Sequence, residues 1–134
     1  MSGPNPLMEN KPEYIDLALG LGYNVEIDIW YLHGQLYLGH NNPQYETTID
    51  YLKNDRFWCH CKNIDALWYL LDNEVHCFFH EEDSATLTSR GVIWTFPSKK
   101  LMPNSVCVMP EHGYNGNLDE CLGICSDYIK EYKK

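Results

Sequence analysis

Residues 25–40 read VEIDIWYLHGQLYLGH, and the fold turns on this stretch. Side chains alternate faces along a strand, so Glu26, Asp28 and Trp30 point one way while Val25, Ile27 and Ile29 point the other. The apolar set requires a packed partner, which turns the carboxylates toward the opposite side, the interior if the strands close into a ring. Two like charges so close repel unless water, a proton or a cation neutralises them. Glu26 and Asp28 are therefore candidate metal ligands; the competing reading is the solvated face of an edge strand.

Working outward, short apolar runs predict strands at 23–31 and 35–39, which the quoted segment spans, and further ones at 57–61, 75–79, 91–96, 105–109 and 122–126. Glu13 to Leu21 reads as a helix with Pro12 near its start and Gly22 as its stop. Thr48 to Lys53 reads as a second. Asn63 caps a third from Ile64 to Leu71, with apolar residues at 64, 67, 68 and 71. Strands alternating with short helices predict a mostly parallel sheet whose ligands gather at the carboxyl ends of the strands. Those ends carry Glu26 and Asp28, His40, His60 and Lys62, His80 with Glu81, Glu82 and Asp83, Glu111 and His112, and Asp127. On a parallel barrel all lie on one rim. The expected fold is α/β, a compact and incomplete TIM-type barrel, because a closed one usually takes about 250 residues. A flavodoxin-like open sheet suits the length better but offers no Gly-rich phosphate loop here.

The chain has 134 residues, which predicts one domain spanning 1–134. An apolar fraction of 44% with ten Tyr and four Trp argues for a packed core; the tryptophans are expected mainly inside. Nineteen acids against ten Lys plus Arg give a net charge of −9, which argues against a nucleic-acid surface and suits a divalent cation. The opening MSGPNPLMENKPEY has no basic, apolar leader pattern, and no apolar run reaches the roughly 20 residues of a membrane span. The expected location is cytoplasmic, with the six cysteines as thiols. Cys59-x-Cys61 and Cys121-x3-Cys125 lack the spacing of structural zinc sites, and on a strand Cys59 and Cys61 face away from His60.

The order Glu9-Asn10, a helix, G-Y-N-V-E-I-D-I and G-Q-L-Y-L-G-H resembles the glycerophosphodiester phosphodiesterases, TIM-barrel enzymes of the phosphatidylinositol-phospholipase-C-like superfamily. W-C-H-C-K resembles their strand with E-x-K, I-W-T-F their W-T-V-N, and L-G-I-C-S-D-Y their closing G-I-I-T-D-Y-P. The similarity runs with gaps from about Glu9 to Tyr128.

The resemblance implies a phosphoric diester hydrolase of lipid metabolism acting on a glycerophosphodiester or similar small phosphodiester. It implies a divalent metal, Mg2+ or Ca2+, on Glu26 and Asp28, His40 as a catalytic histidine, Lys62 near the phosphate, and Trp94, matching the family's W-T, as a substrate contact lining the pocket; Glu111, after Pro110 at a strand end, is a candidate substrate contact from its position alone. A hard cation prefers carboxylate oxygens, and a phosphodiester needs Lewis-acid help. The chain departs from the pattern in three places. The first strand with its H-R-G is absent; the acid of E-x-K is replaced by His60; and the His-Asp pair is His40-Asn41. An imidazole from His60 tilts metal preference toward Mn2+ or Zn2+. The rival reading is a catalytically impaired relative that binds metal or phosphate, or serves a structural role. A missing first strand further predicts self-association through an unpaired edge of the 23–31 strand.

Overall fold

The computed structural model describes residues 1–97, 99–114 and 116–132. Backbone contacts group them into two compact units, Asn5–Phe79 and residues 1–4 with the described part of 80–134.

The Asn5–Phe79 unit begins with α1 (Pro12–Gly20). Pro12 opens this helix, where its missing N–H costs nothing, and Glu13 faces the helix dipole in the first turn. After Gly22, at a φ of +92°, the chain enters β1 (Val25–Leu32), β2 (Gln35–Leu38) and β3 (Tyr45–Thr47). Then come α2 (Ile49–Leu52), β4 (Phe57–Cys61), α3 (Ile64–Asp72) and β5 (Cys77–Phe79). The strands form one sheet ordered β3-β2-β1-β4-β5. β4 lies parallel to β1 and to β5, and β2 runs antiparallel to both β1 and β3.

Alternation along β1 and β4 divides the sheet cleanly. Ile27, Ile29, Phe57, Cys59 and Cys61 are buried together with Ile15 of α1 and with Ala66 and Leu70 of α3. Asn63 accepts the N–H of Ala66 at 3.0 Å and so caps α3. The same side chain meets the backbone of Tyr31 on both its N–H and its carbonyl, which ties the start of α3 to β1. Arg56 donates to the carbonyls of Leu19 and Tyr23 and ties down the end of α1.

The second unit carries β6 (Ala85–Leu87), β7 (Ile93–Thr95), β8 (Ser105–Val108) and β9 (Gly123–Cys125). They form a four-stranded sheet in that order, antiparallel between β6 and β7 and parallel across the other two pairs. All of β8 is buried. Among its described residues this unit has no α-helix, only short 3-10 turns at Pro110–His112, Leu118–Glu120 and Ile129–Glu131.

The TIM-type barrel expected from the sequence is therefore corrected to a mixed α/β structure with two small mixed sheets, neither closed on itself. The cause lies in the quoted segment. His33 and Gly34, at φ of +51° and +78°, form a two-residue turn that folds β2 straight back on β1. A parallel neighbour needs a crossover of a dozen or more residues, and two residues permit only a hairpin. Thr88 to Val92 makes the equivalent reversal between β6 and β7, with Thr88 N–H to Val92 O at 2.8 Å. The 23–31 strand is also not an edge: β1 is paired on both sides, by β2 and β4. No helix among the described residues is long and apolar enough to cross a membrane.

Candidate metal centre

Three side chains converge on the sheet face opposite the core of the Asn5–Phe79 unit. Asp28 and His60 are register partners on the parallel strands β1 and β4, so both project from the same side. Glu26, two residues earlier on β1, shares that side. His60 Nδ1 lies 3.2 Å from Asp28 Oδ1 and 3.7 Å from Glu26 Oε1. One donor atom from each residue lies within 4.8 Å of the other two. The set holds two carboxylates and one imidazole, donors suited to a divalent cation. Asp28 is buried and the other two are half-buried.

Neighbouring residues hold this geometry. The His60 ring stacks on Phe78 of β5, with centroids 5.1 Å apart and planes 8° from parallel. Asn10 accepts the Asp28 N–H at 2.8 Å and donates through Nδ2 to Asp28 Oδ2 at 2.9 Å. Gly39 donates its N–H to Asp28 O at 3.1 Å, and its carbonyl accepts from Trp30 Nε1 at 2.6 Å. A Cβ at Gly39 would lie 1.9 Å from the carbonyl oxygen of Asn42, so only glycine fits beside the site.

Electrostatics separates the two carboxyls. Burial, the Asp28 charge and a hydrogen bond between the two carboxyls hold the Glu26 pKa well above the usual range, with Lys62 pulling it down and Glu9 adding to the rise. Burial also acts to raise Asp28, but hydrogen bonds from His60 and Asn10 outweigh it and the net shift is downward. Without a cation, Asp28 therefore ionises before Glu26 as pH rises.

The other residues singled out by the sequence fall as follows. Lys62 is half-buried just past β4, its backbone N–H on Ile29 O at 2.8 Å and its charge felt by Glu26. His40 follows Gly39, is exposed, and does not belong to the donor group. Trp94 is buried in β7, and Glu111 is exposed in the 3-10 turn after β8, where it accepts from Ser126 Oγ; both belong to the second unit. The expectation that the tryptophans are mainly internal fails for Trp68, which is 66% exposed. The sequence marks Asn10 only by its place in the Glu9-Asn10 pair. Its φ of +59°, which aims it at β1, leaves no trace in residue order, although Asn is among the residues that tolerate such a conformation.

No family model, curated protein or solved structure matches the chain. The likeness to the glycerophosphodiester phosphodiesterases rests on the residues quoted for it.

Proposed function

We propose that this protein binds a divalent cation through Glu26, Asp28 and His60 and uses it in hydrolysing a small phosphodiester. The observation that carries this reading is the convergence of two carboxylates and an imidazole within 4.8 Å, fixed by paired strands rather than by loops. Three protein donors leave coordination positions open, as catalytic metal sites do. A cation held there by Glu26, Asp28 and His60 would supply Lewis-acid polarisation of a phosphoryl oxygen and would lower the pKa of a bound water. Lys62, whose charge reaches Glu26, supplies a positive group beside the site for an anionic substrate. His40, brought to the same end of the sheet by the Gly39 to Asp28 hydrogen bond, supplies an imidazole for proton transfer.

One observation favours a second reading, cation or phosphate binding without turnover: among the described residues the donor group contains a single imidazole, and His40 stands outside it, exposed. Hydrolysis of bis(p-nitrophenyl) phosphate with and without Mn2+, in the wild type, Glu26→Gln and His40→Ala, separates the two. Mn2+-dependent turnover lost in both variants supports the enzyme. A Mn2+-induced rise in Tm without turnover supports the binding reading, and no response to Mn2+, Mg2+, Ca2+ or Zn2+ in either assay overturns both.

A further inference from the structure

Asn10 lies in the segment ahead of α1 with a left-handed backbone, and from there it holds Asp28 at two points. Its Oδ1 accepts the Asp28 backbone N–H at 2.8 Å, which fixes it against β1. Its Nδ2 donates to Asp28 Oδ2 at 2.9 Å, which engages one of the two carboxylate oxygens. The other oxygen, Oδ1, faces the donor group and accepts from His60 Nδ1 at 3.2 Å in the cation-free chain, a contact that a cation taking both atoms as ligands would replace. A carboxylate pinned in this way offers one oxygen rather than two.

We propose that Asn10 is a positioning residue that fixes Asp28 as a one-oxygen donor and thereby selects a cation of the Mn2+ or Zn2+ class over Ca2+. This rests on the cation reading of Glu26, Asp28 and His60. Ca2+ collects six to eight oxygen ligands and readily takes both oxygens of a carboxylate, whereas Mn2+ and Zn2+ accept fewer ligands and bind imidazole well. Partners that orient a ligand without touching the metal commonly change affinity by about 10–100-fold. Asn10 is such a partner for Asp28, and it acts on the ligand geometry rather than on the net charge, which is unchanged when the amide is removed.

Calorimetric titration of wild type and Asn10→Gly with MnCl2 and with CaCl2 tests the assignment. Glycine adopts the left-handed backbone without strain, so the substitution removes both side-chain bonds and keeps the turn. Wild type is expected to bind Mn2+ more tightly than Ca2+. Asn10→Gly is expected to weaken Mn2+ by about 10–100-fold and Ca2+ by less, so that the preference narrows. A general loss of folded protein lowers both affinities by the same factor. Equal losses, no loss, or a wild type that prefers Ca2+ overturns the role of Asn10 while leaving a cation site in place. A wild type that binds neither cation removes the underlying reading as well. A second measurement needs no variant: the Mn2+-minus-apo infrared difference spectrum of protein with 13C-labelled Asp carboxyls. Widely separated carboxylate stretches are expected for one-oxygen ligation, and a narrow separation overturns the proposal.

Discussion

Glu26 and Asp28 carry opposite consequences for stability although they stand two residues apart. The pKa of Glu26 is raised by burial and by Asp28, so the folded chain holds that proton more firmly than the unfolded chain does. Its contribution is full below the ordinary glutamate range and is lost as pH climbs through the raised folded value. Glu26→Gln is therefore expected to raise the Tm of metal-free protein, by more at pH 8 than at pH 4, and to abolish any Mn2+-induced shift. A melt showing the variant less stable at pH 8 contradicts this assignment. Asp28 has the reverse sign: its pKa is lowered on balance by His60 and Asn10 against the effect of burial, so its contribution is present above the ordinary aspartate range and is lost as pH falls through the lowered value. Asp28→Asn is expected to lower stability at pH 7 by about 1–3 kcal/mol, the usual cost of disrupting a buried hydrogen-bonded charge, with the difference shrinking in acid. Urea unfolding at pH 7 and pH 3 checks both the size and the direction. Beside them, Gly39→Ala puts a methyl 1.9 Å from the Asn42 carbonyl oxygen and forces the backbone to shift. A loss of at least about 1–3 kcal/mol is expected, and a variant with unchanged Tm shows that the turn relaxes freely.

Elements were the most legible level of this sequence, and α3 shows where that legibility stops. Each of the seven runs read as strands coincides with an observed strand, and the three helices lie where Pro12, Thr48 and Asn63 start them. Turn chemistry and apolar periodicity are local, so they survive in residue order. The three-residue strands β3 (Tyr45–Thr47) and β6 (Ala85–Leu87) form no apolar run long enough to stand out in the sequence. The buried face of α3 differs from the one the sequence predicts: apolar residues at 64, 67, 68 and 71 suggest one stripe, yet Ala66 and Leu70 are buried, while Ile64, Trp68 and Leu71 are exposed. A helix apolar nearly all round has no unique stripe, and the orientation follows from Asn63, which is bonded both to Ala66 N–H and to the Tyr31 backbone. Asn63→Ala is accordingly expected to cost about 1–2 kcal/mol, at the upper end for a helix cap because a link to β1 goes with it. Trp68→Ser is expected to change stability by no more than about 0.5 kcal/mol, whereas Leu70→Ala is expected to cost about 2–5 kcal/mol. Denaturant midpoints for the three variants decide the order, and a costly Trp68→Ser places the wrong side of α3 in the core.

At the scale of the whole molecule, the sequence misled through pairing partners rather than through elements. Strand runs separated by helices suggest a ring of parallel strands, but β2 returns directly from β1 through His33-Gly34, and the hydrogen-bonded strands fall into sheets of five and four. The candidate site is insensitive to that error. It needs only the alternation along β1 and its parallel pairing with β4, which places Asp28 opposite His60; both would hold in a barrel or in an open sheet. What residue order could not supply is the loop that brings Asn10 to Asp28 from 18 positions away. Since Glu26, Asp28, His60 and Asn10 all belong to the Asn5–Phe79 unit, cation binding must be paid out as stability of that unit's own strands. A cation at 100 times its Kd stabilises the state that binds it by about 2.7 kcal/mol, a factor of about 100 in any opening that destroys the site. Hydrogen exchange in saturating Mn2+ is therefore expected to slow by up to about 100-fold at the amides of Ile27, Asp28, Ile29 and His60, and not to slow in Glu26→Gln. Exchange at those amides that is indifferent to Mn2+ in the wild type means that β1 and β4 hold no cation between them, however well their side chains are placed to do so.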